Sequence, residues 1–545
     1  MEYLDIVLVM IELALCVFLW KFSDYCERVR SSKWKLVWLT PLALWFIIAF
    51  IVGLDKCLIS AYVGIIILAL GFFREKLDFR RIISVIAAVC IVLAVPLCLL
   101  SKAYRRVDYA AEFEELFEKA EKRYVLTKHK NIDWKALHDK YLPEFRKATK
   151  DRDEVGNYIA WGKLCAEFYD GHVTYAAKEK VSDEACRRAW GNDYGLVVMA
   201  LADGRYAALN VDDSLKKQGI HQLTEITSWD GMTFEEADSK SVMRQMKGYA
   251  DIDNEKFYSG LFAAGVGGDS VKVTFIADDG SEKTAELPKI GDYQDRAESY
   301  LKKLNQSTPI ANMTFTKLDD ETACLKMCGM EYDSEASSSE DYTMMKRQLK
   351  NDLLDLRNEG VKNLVLDIRG NFGGEGGVVT TIASLLAPEG KHLYANNPLW
   401  DDNKKCYVLD EEGNYVVDDA VEFEGMDLLN GGKIIILVNS ASVSAADHLT
   451  KVMSQFDNVT VMGFTEPNGS AQGVSSINSE SGILILSSSA ILDKDGSIFV
   501  DSNESRQSGD DLDIRIPFDE TAVHEIFDED NDYIMDKAME QMKEK

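Results

Sequence analysis

Apolar positions follow three different rhythms along this chain. Up to about residue 100 they run almost unbroken, in stretches from Tyr3 to Trp20, Leu36 to Leu54, Leu58 to Phe73 and Ile82 to Leu100. Each approaches the roughly 20 residues that a helix needs to cross a bilayer. From Asp108 to Tyr175 the spacing becomes helical, with Phe113, Leu116, Phe117 and Ala120 on one face, then Tyr158, Trp161, Leu164, Cys165 and Phe168 on another. Strand-like runs follow at Gly195 to Met199, Tyr206 to Val211 and Val271 to Ile276. From about Thr308, apolar strands (Thr322 to Met327, Asn363 to Asp367, Lys433 to Val438) alternate with helices (Asp341 to Asn358, Ala445 to Met453), an order that predicts an α/β core. The expected division is a four-helix transmembrane region over 1–104, a helical unit over 105–183, a β-rich unit over 184–292 and the α/β core over 293–545.

Basic residues give the apolar region a direction. Lys21, Arg28, Arg30, Lys33 and Lys35 crowd its first connection, and Arg74, Lys76, Arg80 and Arg81 its third, so both should face the cytoplasm. Lys102, Arg105 and Arg106 weigh against this orientation. The expectation is a multi-pass protein of the cell membrane, in contact with bilayer lipid, with everything after Leu100 extracytoplasmic. The remainder is strongly acidic and the chain carries a net charge of -29, which disfavours a nucleic-acid partner. Of the ten cysteines, Cys165, Cys186, Cys324, Cys328 and Cys406 lie beyond the apolar region. Their odd number gives no disulfide framework and their spacing no zinc site, so no metal is expected.

Two segments carry candidate chemistry. The strand Lys433 to Val438 runs into Asn439-Ser440-Ala441-Ser442-Val443-Ser444-Ala445, which puts Ser444 at a strand-to-helix turn. There the unpaired amides and positive dipole end of a helix stabilise an alkoxide, and the Ala445 N–H can serve an oxyanion. A serine in that position is more commonly a simple helix cap. The second segment is the glycine-rich loop Asp367-Ile368-Arg369-Gly370-Asn371-Phe372-Gly373-Gly374, directly after a buried strand. It lacks the Lys-Ser/Thr of a phosphate loop and the spacing of a dinucleotide fingerprint. It reads as half of an oxyanion hole, with Gly373 or Gly374 as donor.

Asp367 to Gly374 resembles the Asp-Leu-Arg-x-Asn-x-Gly-Gly signature of the C-terminal-processing and tricorn-type serine peptidases, and Ser442 to Asp447 resembles their nucleophile segment. Asp170-Gly171-His172-Val173-Thr174 resembles the Gly-His-Thr element that precedes their PDZ-like domain. The three occur in the family's order over most of residues 108 to 545. The resemblance implies a crotonase-like (ClpP/crotonase) α/β core, a PDZ-like domain and no cofactor. It also implies hydrolysis of polypeptides through an acyl-enzyme on Ser444, and with the orientation above the expected substrates are exported or cell-surface polypeptides. Members of the Ser-Lys kind carry a lysine in a Gly-Lys-Gly turn where this chain has Pro467-Asn468-Gly469-Ser470, so the sequence is closer to the tricorn style, with His172 as base. His448, four residues after Ser444, competes for that role but is read as packing. The family's late carboxylate falls on Glu504, with Asp501 close behind.

The segment Gly219 to Gly231 resembles the strand and tight turn of PDZ domains. With Gly195, Leu196 and Val197 as a carboxylate-binding edge, the resemblance suggests capture of peptide C-termini by strand addition. The rival to a peptidase is a catalytically inactive membrane protein that binds peptides through this unit.

Overall fold

The computed structural model describes residues 107–305, 313–331, 339–507 and 512–544. Three helices open it: α1 (Tyr109–Arg123), α2 (Trp134–Asp151) and α3 (Glu154–Ala166), each capped by an aspartate, Asp108, Asp133 or Asp153, that accepts from an amide of the first turn. Such a cap stabilises a helix by about 1 kcal/mol. Their apolar faces enclose an aromatic core in which Phe113 stacks on Phe145 (4.4 Å between centroids) and Trp161 on Tyr175 (5.0 Å). Tyr175 lies in β1 (Thr174–Ala176), the short strand that follows His172. It pairs antiparallel with a strand far along the chain, Thr174 opposite Ile485. That pairing ties the histidine loop to the C-terminal half of the molecule.

The β-rich unit contains a hairpin of β2 (Val197–Ala200) and β3 (Tyr206–Leu209), followed by β4 (Ile226–Trp229), helix α4 (Ile252–Ala263), β5 (Ser270–Ile276) and β6 (Glu282–Pro288). Strands β4, β5 and β6 form an antiparallel sheet. The peptide-binding edge expected at Gly195, Leu196 and Val197 is not open. Leu196 and Val197 are fully buried. The Gly195 N–H donates to Asp193 (2.8 Å) and its carbonyl accepts from the Asp212 N–H (2.9 Å). Helix α4 closes the groove, since a Cβ added to Gly260 would stand 2.9 Å from the Val198 carbonyl oxygen. A peptide strand has no room between them.

The core is a six-stranded sheet. Its strands are β7 (Thr314–Lys317), β8 (Thr322–Lys326), β9 (Asn363–Asp367), β12 (Ile434–Leu437), β13 (Val459–Gly463) and β16 (Ile514–Arg515), in the order β16-β13-β12-β9-β8-β7. All neighbours are parallel except β7, which is antiparallel to β8. A parallel sheet is normally covered on both faces, and its alternate residues show it here. Leu364, Leu366, Ile434 and Ile436 pack with residues of helices α5 (Ser339–Asn358), α6 (Gly376–Leu386) and α7 (Ala445–Ser454). Val365, Ile435 and Leu437 belong instead to the cluster shared with the β-rich unit and helix α8 (Tyr533–Lys543). A hairpin of β10 (Gly390–Pro398) and β11 (Val417–Gly425) extends from α6, and β14 (Gly473–Asn478) and β15 (Ile483–Ser489) complete the sheet begun by β1.

The expected fold class is corrected in one respect. Among the described residues no helix is long and apolar enough to cross a membrane. The four transmembrane helices expected between residues 3 and 100 lie outside the described residues, and the fold is α/β without them. Val107–Lys545 forms one compact unit.

Candidate active site

Asp367 to Gly374 earns its residue types one by one. The Asp367 carboxylate accepts from Arg369 Nε and Nη2 (both 2.8 Å), and Arg369 continues to Asp532 (2.8 and 2.7 Å), pinning the end of β9 to α8. The pair is buried, where paired charges satisfy each other and a lone one would be strongly destabilising. Asn371, also buried, donates to the Met327 carbonyl (3.0 Å) and accepts from the Gly373 N–H (2.9 Å). Gly373 (φ 84°) is the residue that meets the nucleophile turn. A Cβ there would fall 2.6 Å from Ser444 Cβ and 3.0 Å from the Ala445 nitrogen, so only glycine fits.

Ser444 caps α7 with φ 64° and ψ -119°, a conformation that non-glycine residues rarely adopt and that persists only where the surroundings impose it. Here Asp447 imposes it. Its buried carboxylate accepts from the N–H groups of Ser444 (2.9 Å), Gly469 (3.0 Å) and Ser470 (3.2 Å). Burial pushes this carboxyl up to about 8, against the pull of those donors. The Ser444 N–H also reaches the Ser470 carbonyl (3.0 Å). The Gly373 N–H is occupied by Asn371, which leaves Gly374 as the better oxyanion donor of the two. The N–H groups of Gly374 and Ala445 have no hydrogen-bond partner among the described residues.

The same loop receives the histidine. Ser470 Oγ accepts from the Gly171 N–H (2.7 Å), and a Cβ on Gly171 would lie 2.1 Å from Asn468 Oδ1. Ser470 therefore touches the nucleophile turn with its carbonyl and the histidine loop with its hydroxyl. Asp170 fixes that loop, accepting from the His172 N–H (2.9 Å), the Tyr124 hydroxyl (3.0 Å) and the Ser487 hydroxyl (2.8 Å). Burial lowers the His172 imidazole below its usual range, opposed by Asp170 and the backbone of Gln472. Its Nδ1 is buried and unpartnered.

The two candidates for the late carboxylate are placed differently. Glu504 is exposed in a turn, whereas Asp501 is buried and accepts from the Ala471 N–H (2.8 Å) and Gln472 Nε2 (2.9 Å). Its other oxygen, Oδ1, is buried without a partner. Burial, with Asp170 nearby, pushes the Asp501 carboxyl up to about 7, and Lys130 pulls the other way. Lys130 was not legible in the sequence, since it stands in a polar connection with no motif around it. Its ammonium donates to the Tyr169 carbonyl (2.9 Å), the Ser502 carbonyl (2.8 Å) and Ser502 Oγ (3.0 Å). Those three acceptors use all of its donors.

His448 is more than packing. Its Nε2 bonds the Ala471 carbonyl (2.5 Å) and its Nδ1 the Tyr394 hydroxyl of β10, so both nitrogens are engaged, the first of them in holding the loop. Burial, with His172 adding to it, lowers this imidazole to about 4. The unfolded side chain titrates near 6.5. Between those values the unfolded state binds the extra proton, so this contribution is full above pH 6.5 and is lost as pH falls toward 4. The variant His448→Gln removes that dependence. Chemical denaturation at pH 7 and pH 4.5 should show the stability gap between wild type and variant narrowing by about 2 to 3 kcal/mol at the lower pH. An unchanged gap would contradict a neutral buried imidazole.

A strained serine, two free amides and a half-buried imidazole around one loop are the parts of an acyl-transfer site. The profile of peptidase family S41 matches residues 324–502, and that of the tricorn protease C1 domain matches residues 105–155. The chain is a serine-type peptidase. Over those matched residues it is similar to the S41 superfamily, which includes the C-terminal-processing and tricorn-type enzymes. Among curated proteins none matches the sequence. Mature CPAF complexed with lactacystin is 11% identical, with a TM-score of 0.49 and coverage of 80% of this chain and 98% of its own. The photosystem II D1 C-terminal processing protease is 17% identical, with a TM-score of 0.34 and coverage of 76% and 96%. The tricorn protease is 13% identical, with a TM-score of 0.34 and coverage of 80% and 37%.

Proposed function

We propose that this peptidase cleaves polypeptides outside the cytoplasm, at the cell membrane, through an acyl-enzyme on Ser444. His172 takes the hydroxyl proton during attack and returns it to the leaving amine. The N–H groups of Ala445 and Gly374 hold the oxyanion of the tetrahedral intermediate. Asp501, in place of Glu504, steadies the imidazolium that forms. The observation that carries this reading is Ser470, whose two polar groups join the Ser444 turn to the His172 loop. Catalytic hydrogen bonds are often loose without substrate and tighten in the complex. The extracytoplasmic location has its support in the apolar stretches and basic connections of residues 1–100.

One experiment addresses both parts. A membrane-impermeant fluorophosphonate applied to intact cells should label the chain, with the adduct mapped to Ser444. Labelling that appears only after lysis would contradict the location. A folded, peptide-binding protein that never labels would contradict the chemistry.

A further inference from the structure

Phe372, in the glycine-rich segment, is a residue whose type the ion pairs and turns above do not explain. Its side chain is 75% exposed, the largest exposure among the exposed large hydrophobic residues of the described chain. Its backbone is nevertheless held on both sides. Asn371 is fully buried, with its carbonyl accepting from the Val443 N–H (3.0 Å), and Gly373 packs against Ser444 Cβ and donates its N–H to Asn371. No ring of a described residue stacks on Phe372, although aromatic pairs are frequent throughout this core. A rigid backbone thus presents an uncovered aromatic ring one residue from the nucleophile's glycine and two from the Gly374 amide. Leaving a phenylalanine in water forfeits the free energy its burial would release. A bound peptide, lying across Ser444 to place its carbonyl between the Ala445 and Gly374 amides, must pass this ring.

We propose that Phe372 is a specificity-determining residue, which packs against an apolar side chain adjoining the scissile bond and directs cleavage to apolar sites. This rests on the Ser444 reading above and adds the substrate class. The ring touches substrate without taking part in proton transfer, so its loss changes which peptides are cleaved and leaves the reactivity of the serine intact.

The test compares the full chain with Phe372→Ala and Phe372→Leu on peptides that vary only at the two residues flanking the cleaved bond. The rate of labelling by a small fluorophosphonate, which has no such side chain, is measured alongside. In the wild type, apolar flanking residues should be preferred over isosteric polar ones. Phe372→Ala should cut that preference in kcat/KM by about tenfold or more, corresponding to ~1.4 kcal/mol. Phe372→Leu should keep most of it, and both variants should label at the wild-type rate. An unchanged preference in Phe372→Ala, with wild-type cleavage and labelling intact, would overturn this inference alone. A wild type that neither cleaves nor labels would overturn the Ser444 reading and this inference with it. Because the side chain is largely exposed, truncation removes little packing from the fold.

Discussion

Ser444→Ala should lower kcat/KM on any cleaved peptide by on the order of 10^4- to 10^6-fold, with the fold intact. The size of the loss follows from covalent catalysis, since without the hydroxyl no acyl-enzyme forms and only the amides and binding contacts remain. The fold should survive because the strained turn is held through the Ser444 N–H, by Asp447 and the Ser470 carbonyl, and alanine retains that group. The assay is hydrolysis of a fluorogenic peptide, with the denaturation midpoint measured on the same preparation. Substantial residual cleavage by a stable variant would move the nucleophile elsewhere.

His172→Gln should produce a loss of similar order, about 10^3- to 10^6-fold in kcat, because an amide cannot accept and return the proton. The wild-type pH profile is the sharper readout. Burial lowers the His172 imidazole, so its active neutral form persists to lower pH than for an ordinary histidine. The acid limb of kcat/KM should therefore fall below pH 6.5, with activity rising as pH increases through that limb. The neighbouring imidazole gives the control. His448 has both nitrogens bound, to Ala471 and Tyr394, and His448→Gln should retain activity at pH 7 within about tenfold. A variant at His172 that keeps near-wild-type kcat would refute its role as base.

Residue pattern reveals some of this architecture and conceals the rest for identifiable reasons. Strands β9 and β12 were legible because both faces of a parallel strand are buried, which leaves unbroken apolar runs ending at Asp367 and Val438. The strand-to-helix turn at Ser444 was legible because such a run ends shortly before a helix, whereas nothing in the sequence separated Gly373, whose N–H Asn371 engages, from Gly374, whose N–H is free. The choice between Asp501 and Glu504 was not legible either. They lie three residues apart in an irregular segment without periodicity, and only the backbone path decides that one is buried against Gln472 while the other faces water. The burial of the edge at Gly195 to Val197 was hidden for another reason. A glycine in the middle of a helix, Gly260, allows α4 to approach the Val198 carbonyl, a contact between elements that local sequence does not express. Lys130 and Asp447 belong to the same category, since their partners lie in distant segments of the chain.

The proposed mechanism stands on the meeting of His172 and Ser444 across the 468–472 loop, and a crystal structure of a peptide boronate adduct tests that meeting most directly. The expected result is boron bonded to Ser444 Oγ, one boronate oxygen accepting from the Ala445 and Gly374 N–H groups, and a His172 ring nitrogen within about 3 Å of the bonded oxygens. An adduct on another residue, or one on Ser444 with His448 or Lys130 in the position assigned to His172, would contradict it.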